Sequence, residues 1–234
     1  MKYILSIPSY NLLNETKNLI KEIYSSASFD FEIIVIDNGS QENFNELYQF
    51  KNLQMIRNQI NMSVSHAWNQ AIDYALSKNY DLILLNNDIV LRNDTLNNLV
   101  KFASKTTKYG LICATAYEDF DTLKTAIPTH FTIENQHNFA LFLIKQFVMK
   151  EIGHFDDKNF PDYFNDYDYL NRLKNNNIYF CTYTGSLFYH LESLTTKKYN
   201  LNLSTKYNHS LLNYIKKWGS PPNAESLKSP HFQI

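Results

Sequence analysis

Short runs of aliphatic and β-branched residues alternate with helix-periodic segments through the first half of the chain, and this alternation limits the fold more than any other feature. Runs of this kind are typical of buried strands, whereas the segments between them space their apolar residues for one face of a helix. Alternating strands and helices connect by right-handed crossovers into a mostly parallel sheet covered on both faces. We therefore predict the α/β class, with strands at 3–7, 31–36, 53–56, 82–85 and 111–116.

The second half of the chain loses this alternation. A mixed strand and helix stretch at 139–152 precedes an aromatic and acidic segment at 155–168 and a short helix at 169–174. Two short strands are predicted at 178–182 and 186–189.

Apolar residues at helical spacing predict a last helix from about residue 200 to residue 217, before a Pro-containing tail that starts at Gly219. This tail is expected to be a lid over a cleft, a self-association element or an ordered terminal strap. No Gly/Ser-rich linker divides the chain, so we expect one structural body.

Charge and cysteine usage exclude several classes of protein. The 22 Lys and Arg residues nearly cancel the 23 Asp and Glu residues, so no long-range field steers the chain to nucleic acid or an anionic membrane. Cys113 and Cys181 each lie in an apolar run without the paired spacing of a zinc site, which predicts buried thiols in a reducing compartment.

The apolar stretches are too short for a signal peptide or a membrane span. Pro8 interrupts the first of them, and the stretch at 139–149 falls well below the roughly 20 residues that a spanning helix needs. We expect a cytoplasmic protein without a membrane span, and peripheral contact with the inner membrane face stays open.

Polar segments follow three of the predicted strands, at 8–11, 37–40 and 86–88. Each alone is also typical of a turn or a helix cap. In an open parallel sheet, however, ligands bind at the carboxyl ends of the strands, because loops and helix N-termini converge there. Three such segments at one edge of a sheet therefore favour a ligand site.

The five glycines are too dispersed for a dinucleotide-binding or P-loop motif, which excludes those two classes of phosphate site. A diphosphate that is held without a glycine loop or a basic cluster needs a divalent cation. An Asp at a strand end is a suitable oxygen ligand for such a cation, so Asp88 is the metal candidate.

Several motifs in the right order resemble the inverting family 2 glycosyltransferases of the GT-A fold. Residues 7–11 resemble the opening strand-end motif, 36–40 the Asp-Asn/Asp-Gly-Ser turn, and 84–88 the strand that ends in the metal-binding Asp. Residues 58–69 resemble the Asn-rich loop and helix that lie between them.

The likeness continues in the second half. Residues 153–157 and 163–168, with Arg172, resemble the region where the family places a Glu-Asp-x-Asp motif, and His190 resembles a late His that completes the metal site in many members. The resemblance implies a Rossmann-like, mostly parallel sheet flanked by helices, with a mixed second half and a C-terminal helix and tail. It divides the chain into a nucleotide-sugar-binding half at 1–116, an acceptor-binding and catalytic half at 117–199, and a C-terminal helix and tail at 200–234.

The resemblance also implies roles for individual residues. The catalytic base is Asp166, which takes the proton of the acceptor hydroxyl, while Asp88 and His190 hold Mn²⁺ or Mg²⁺. The remaining predicted site residues are, for the donor, Pro8, Tyr10, Asp37, Asn61, Asn69, Asn86 and Asn87, and, for the acceptor or for support of the site, Asp168, Arg172 and Tyr163.

Three departures from the family pattern affect these expectations. The family's Glu before the base is Asn165 here, which removes a negative charge and should ease ionisation of Asp166. The family usually has a Gly shortly after the Asn at position 61, and this chain has no Gly there, where Ser63 stands. The metal motif has a single carboxylate, so the donor diphosphate and water must supply further ligands.

Simpler structural readings exist for several of these residues. Asp166 and Asp168 could each stabilise a helix N-terminus, and Asp168 could orient Arg172 rather than touch substrate. His190 could be a core histidine. Trp68 is predicted to be a core residue, and His66 a surface residue.

The sequence therefore predicts an inverting glycosyltransferase with a nucleotide-diphosphate sugar as donor, a UDP-sugar being favoured. The acceptor is a glycan, a lipid-linked sugar, a protein or a modified nucleic acid, and a homo-oligomer stays open. The alternatives are an inactive nucleotide-sugar-binding partner subunit and a nucleotidyltransferase. The latter generally needs a Gly-rich basic loop near its first strand, which residues 8–13 do not offer.

Overall fold

The computed structural model describes residues 2–117, 119–126, 133–134, 137–191 and 204–223. The strands are β1 Tyr3–Ser9, β2 Phe31–Asp37, β3 Leu53–Arg57, β4 Asp81–Leu85, β5 Ile89–Leu91, β6 Tyr109–Tyr117, β7 Ile133–Glu134, β8 Leu141–Ile144 and β9 Tyr179–His190. The helices are α1 Leu13–Ser26, α2 Val64–Lys78, α3 Thr95–Lys105, α4 Phe120–Thr125, α5 Gln146–Ile152, α6 Asn165–Asn175 and α7 Ser204–Trp218, with a 3₁₀ helix at Phe44–Gln49.

The described strands form one sheet in the order β3-β2-β1-β4-β8-β6-β9-β5, with β7 paired to β9. Strands β3, β2, β1 and β4 are parallel. Strand β8 is antiparallel to both β4 and β6, and β9 is parallel to β6, so β6 and β9 run in the same direction as the first four strands. The α/β prediction with a mostly parallel sheet is confirmed, and the carboxyl ends of six strands meet at one edge, here called the carboxyl edge.

Strands from the two halves of the sequence interleave in this sheet. Strand β6 lies between β8 and β9, and β5 pairs with the end of β9. The helices cover both faces, because the strands bury apolar side chains on each side. Helices α1 and α3 pack on one face, and α2, α5 and α6 on the other.

Two sequence expectations about the core are confirmed. Trp68 packs against Phe155, with ring centroids 4.9 Å apart, and belongs to the core on the α2 face. Cys113 and Cys181 are buried free thiols that pack into opposite faces of the sheet. Burial raises the pKa of the Cys181 thiol to about 12.

The prediction of two strands at 178–182 and 186–189 is wrong, because β9 is continuous. Its pairing with β6 jumps from Ala114 opposite Tyr183 to Thr115 opposite Leu187, so three residues of β9 bulge out of register. These residues include Gly185, which interrupts the apolar pattern without ending the strand.

Helix α6 begins at Asn165, earlier than the predicted start at 169. The predicted start of the last helix at 200 lies outside the described residues, as does the tail beyond residue 223. Helix α7 packs through Tyr214 against Phe160 and Phe164. Within the described segments, no helix has both the length and the apolar character to cross a membrane.

Candidate functional site

Asn38, directly after β2, organises the loop that follows β3. Its side-chain amide nitrogen donates to Asn61 Oδ1 and to the carbonyl of Ser63, both at 3.0 Å. Its Oδ1 accepts from Asn58 Nδ2 at 2.9 Å and from the backbone N–H of Met62 at 3.1 Å. One side chain therefore fixes the 58–63 loop over the end of β2.

Gly39 allows this loop to approach the β2 turn. Its φ is +80°, and a Cβ atom at this position would lie 2.4 Å from the carbonyl carbon of Ile60. The turn therefore requires glycine both for its backbone conformation and for close backbone contact.

Asn11 joins the loops that follow β1, β2 and β4. Its backbone N–H donates to Ser40 Oγ at 2.7 Å, and its Oδ1 accepts from the Gln41 N–H at 2.8 Å. Asn87 Nδ2 donates to the Asn11 carbonyl at 3.3 Å and to Thr16 Oγ1 at 3.2 Å. The predicted donor residue Asn87 thus shapes the site by holding these loops together.

Asp37 is fully buried at the end of β2. Its Oδ1 accepts the Ser40 N–H at 2.9 Å. Its Oδ2 lies 3.3 Å from Nη1 of the half-exposed Arg57, yet makes no hydrogen bond within the described structure. A buried acceptor without a hydrogen bond costs free energy, which a bound N–H donor would recover.

Asp88 and His190 meet at the carboxyl edge. The pairing of β5 with β9 places Ile89 opposite His190, and Asp88 Oδ1 lies 3.2 Å from His190 Nε2. The Leu191 N–H donates to the Asp88 carbonyl at 2.9 Å, which fixes the end of β9 to the loop after β4. Both side chains are largely buried.

This pair fits two ligands of one divalent cation. Adjacent ligands of an octahedral ion with bonds of about 2.1 Å lie about 3.0 Å apart, close to the observed separation. Carboxylate oxygen and imidazole nitrogen both suit Mn²⁺. No group of three or more His, Cys, Asp or Glu side chains in the described residues could hold a metal, so this pair would need ligands from a bound donor and water.

Asp166 lies in the first turn of α6 and is partly buried. Its Oδ1 accepts the Tyr167 N–H at 2.8 Å, and its own N–H donates to Asn165 Oδ1 at 2.9 Å. No cation pairs with it in the described parts of the chain. Burial raises its pKa to about 6 and outweighs these backbone hydrogen bonds, so the absence of the family's Glu at position 165 does not leave an easily ionised Asp.

Asp168 and Arg172 form an ion pair one turn further along α6. Arg172 Nε donates to Asp168 Oδ2 at 3.0 Å, and the Asp168 side chain is fully buried. This geometry agrees with Asp168 orienting Arg172. Tyr163 packs edge-on against Tyr207 of α7, with ring centroids 5.3 Å apart.

The other predicted donor residues occupy different environments. Both polar groups of the Asn69 side chain bind the Phe155 backbone, at 2.9 and 2.8 Å, and so fasten α2 to the second half of the chain. Pro8, Tyr10 and Asn86 are partly buried at the ends of β1 and β4. The structure thus gives Asn69 a positioning contact and places the other three at the carboxyl edge of the sheet.

Sequence reasoning missed two contributors to this arrangement. Asn38 belongs to the 36–40 motif, but its hydrogen bonds to the 58–63 loop join residues that are 20 to 25 positions apart in the sequence. Nothing in the sequence predicted the contact of Arg57 with Asp37, apart from the position of Arg57 at the end of β3. His66, predicted to be a surface residue, is partly buried and pairs with Asp157 at 2.9 Å.

The chain matches a protein-family model and resembles solved structures. The family model described as glycosyl transferase family 2 matches residues 5–190. Among curated proteins, no sequence matches this chain.

Solved structures share the fold at low sequence identity. The Pyrobaculum calidifontis mannosyltransferase PcManGT, in complex with GDP-Man and Mn²⁺, is 14% identical with a TM-score of 0.67, over 96% of this chain and 66% of that chain. S. aureus TarS 1–349, in complex with UDP, is 12% identical with a TM-score of 0.66, over 97% of this chain and 68% of that chain. This chain therefore spans 66% of the PcManGT chain and 68% of TarS 1–349, but only 41% of the longer TarS chain.

Proposed function

The chain belongs to glycosyl transferase family 2, and from this premise we propose that it moves a sugar from a nucleotide-diphosphate donor to an acceptor hydroxyl with inversion at the anomeric carbon. The observation that carries the proposal is Asp166, a partly buried carboxylate without a cationic partner in the described residues, whose pKa is raised to about 6. A family 2 enzyme that inverts needs one such base.

We propose that residues 1–116 bind the donor. Asp37 Oδ2 needs an N–H donor, and a nucleobase ring N–H is suited to it. Pro8, Tyr10, Asn61 and the loop before α2 would complete this part of the site. A UDP-sugar is the favoured donor. Of the two similar structures, TarS 1–349 is in complex with UDP and PcManGT is in complex with GDP-Man.

Asp88 and His190 would hold Mn²⁺ or Mg²⁺, which supplies a positive charge for the departing diphosphate. The side chains of Asn86 and Asn87 follow the same strand end. Asn87 fixes the loop through Asn11 and Thr16, so that Asp88 is held in place before a donor arrives.

Asp166 would accept the proton of the acceptor hydroxyl while that oxygen attacks the anomeric carbon. A pKa of about 6 leaves the carboxylate ionised at neutral pH and makes it a stronger base than an ordinary Asp. We assign the acceptor site to residues 117–199, with Tyr163 beside it and with Asp168 and Arg172 in support. The acceptor is one of the four classes named above.

The experiment has two stages. A panel of UDP-, GDP-, dTDP- and CMP-sugars with MnCl₂ is first screened by melting temperature, and the donor that binds is then incubated with candidate acceptors. The anomeric configuration of the product is read by NMR. Inversion is expected for the wild type, and for Asp166→Asn a rate lower by roughly 10²- to 10⁴-fold. A product that retains configuration contradicts the proposal, and donor binding without turnover favours an inactive partner subunit.

A further inference from the structure

The last turn of α7 reaches a carboxylate two residues beyond the proposed base. Lys217 Nζ lies 2.7 Å from Asp168 Oδ1, and Trp218 Nε1 donates to the same oxygen at 3.1 Å. Arg172 Nε donates to the other oxygen, so three donors surround a carboxylate that has no exposed surface. Breaking one partner of such a buried pair usually costs far more than breaking a surface pair.

Lys217 also connects this carboxylate to the segment that precedes α6. Its Nζ lies 2.9 Å from Asp156 Oδ2 as well. Burial alone would lower the pKa of Lys217, but its hydrogen bonds to Asp168 and Asp156 outweigh this effect and raise the pKa. The ammonium group therefore stays charged and joins α7, α6 and the 153–160 segment.

The turn before the base is strained, and α7 packs on it. Phe164 has a left-handed backbone with φ of +62°, a conformation that bulky side chains rarely adopt. Its ring packs against Tyr207 and Tyr214 of α7, with centroids 5.0 and 5.9 Å away. Packing of this kind holds a strained residue in place, and Phe164 comes only two residues before Asp166.

We infer that Lys217 and Trp218 are positioning residues for the reaction: they hold Asp168, fix the first turn of α6 and thereby set the position of Asp166. Helix α7 then contributes to catalysis by positioning Asp166, although it lies beyond the region at 5–190 that the family model matches. The inference rests on the proposed role of Asp166 as the base.

The test measures the titration of Asp166 without any substrate. The free energy of unfolding is followed from pH 4 to pH 8 for the wild type and for Asp166→Asn. The difference between the two proteins changes as the pH rises and levels off at the folded-state pKa of Asp166, so the upper end of the change measures this pKa. The same pair is made in three backgrounds: Lys217→Met, Lys217→Arg and, as the matched control, the exposed neighbour Lys216→Met.

Among the described residues, the titratable groups whose pKa is raised by the Asp166 charge titrate above this pH range. They are Tyr167 on α6 and Cys113 on β6, and burial is the main cause that raises the pKa of each, with the charge of Asp166 adding to it. Contributions from groups elsewhere cancel in the difference between each protein and its Asp166→Asn partner.

In Lys217→Met, we expect the first turn of α6 to loosen, so that water reaches Asp166. Because hydration stabilises the carboxylate, the pKa of Asp166 should fall from about 6 by about 1. Loss of the nearby positive charge alone would move the pKa upward, so a fall reports a change in position and hydration. Lys217→Arg should restore the wild-type value, and Lys216→Met should keep it.

An Asp166 pKa in Lys217→Met that equals or exceeds the wild-type value overturns the inference, even if the protein is less stable. If Lys217→Met does not fold, Trp218→Phe is measured in its place, because it keeps an aromatic ring and removes the indole N–H donor. The proposed function fails separately, if Asp166→Asn transfers sugar at the wild-type rate.

Discussion

Asp88 Oδ1 lies 3.2 Å from His190 Nε2, although the two residues are 102 positions apart in the sequence. The short antiparallel pairing between β5 and β9 brings them together, since Ile89 is opposite His190. The fold therefore builds this pair before any ligand binds, and a divalent cation needs only a small adjustment of the two side chains to bind both.

Asp88→Ala and His190→Ala should each remove the metal-dependent part of nucleotide binding. With nucleotide at about 100 times its Kd, the wild type should melt on the order of 5 °C higher when MnCl₂ is present. The measurement is thermal unfolding with UDP or GDP, each with and without MnCl₂.

Asp73→Ala is the matched control for this experiment, because Asp73 also pairs with a histidine, His154, but on the exposed surface. It should keep the full shift. A metal-dependent shift that survives in Asp88→Ala would show that the cation binds elsewhere.

The rate of sugar transfer should rise with pH through about 6, because Asp166 must lose its proton to act as a base. Asp166→Asn should lower kcat/KM by roughly 10²- to 10⁴-fold and abolish this pH dependence. Steady-state rates from pH 5 to pH 8 check both effects. The control is Asp157→Asn, because Asp157 is a carboxylate of the same 155–168 segment but pairs with His66. This variant should keep the wild-type pH profile. If the rate of Asp166→Asn also rises through pH 6, the base is another residue.

Periodicity predicted the sheet well, because each strand buries a run of apolar residues against both layers of helices. It failed at β9, where the bulge that includes Gly185 looks like a strand end in the sequence but is bridged by pairing with β6. It also missed β5, since three residues are too few for a periodic signal.

The strand-end rule predicted from the sequence that Asp37 and Asp88 lie at the carboxyl edge, because the position of a residue at the end of a strand is local information. The surroundings of Asp166 and Asp168 could not be predicted in this way. Burial raises the Asp166 pKa, and Asp168 is held by Lys217, which is 49 positions further along the chain. Such contacts depend on where α7 packs, and the apolar pattern of a helix does not specify its partner.

Asp166→Asn should stabilise the protein at neutral pH although it lowers the rate of sugar transfer. A carboxyl group with a raised pKa in the folded state binds its proton more tightly there than in the unfolded chain, so stability falls as the pH rises from about 3.8 to about 6. The shift corresponds to at most about 3 kcal/mol, and contact of the partly buried side chain with water reduces this value.

Chemical denaturation at pH 4 and at pH 7.5 measures this effect. The two proteins should be close in stability at pH 4, and Asp166→Asn should be the more stable at pH 7.5. A variant that is less stable than the wild type at pH 7.5 would mean that ionised Asp166 makes a favourable contact, which contradicts burial as the dominant influence on its pKa.

Gly39→Ala should both destabilise the protein and weaken nucleotide binding. The added Cβ would meet backbone atoms of the 58–63 loop, at 2.4 Å from the Ile60 carbonyl carbon and 2.8 Å from the Asn61 nitrogen, and backbone cannot move aside as a flexible side chain can.

Gly219→Ala isolates the conformational part of the cost, because Gly219 has a similar φ of +84° but open space around it. That control should lose about 1 kcal/mol and bind nucleotide normally, whereas Gly39→Ala should lose about 2 kcal/mol or more and bind more weakly. Denaturation midpoints and nucleotide titrations on both variants test this, and equal losses in the two would show that the 58–63 loop yields without cost.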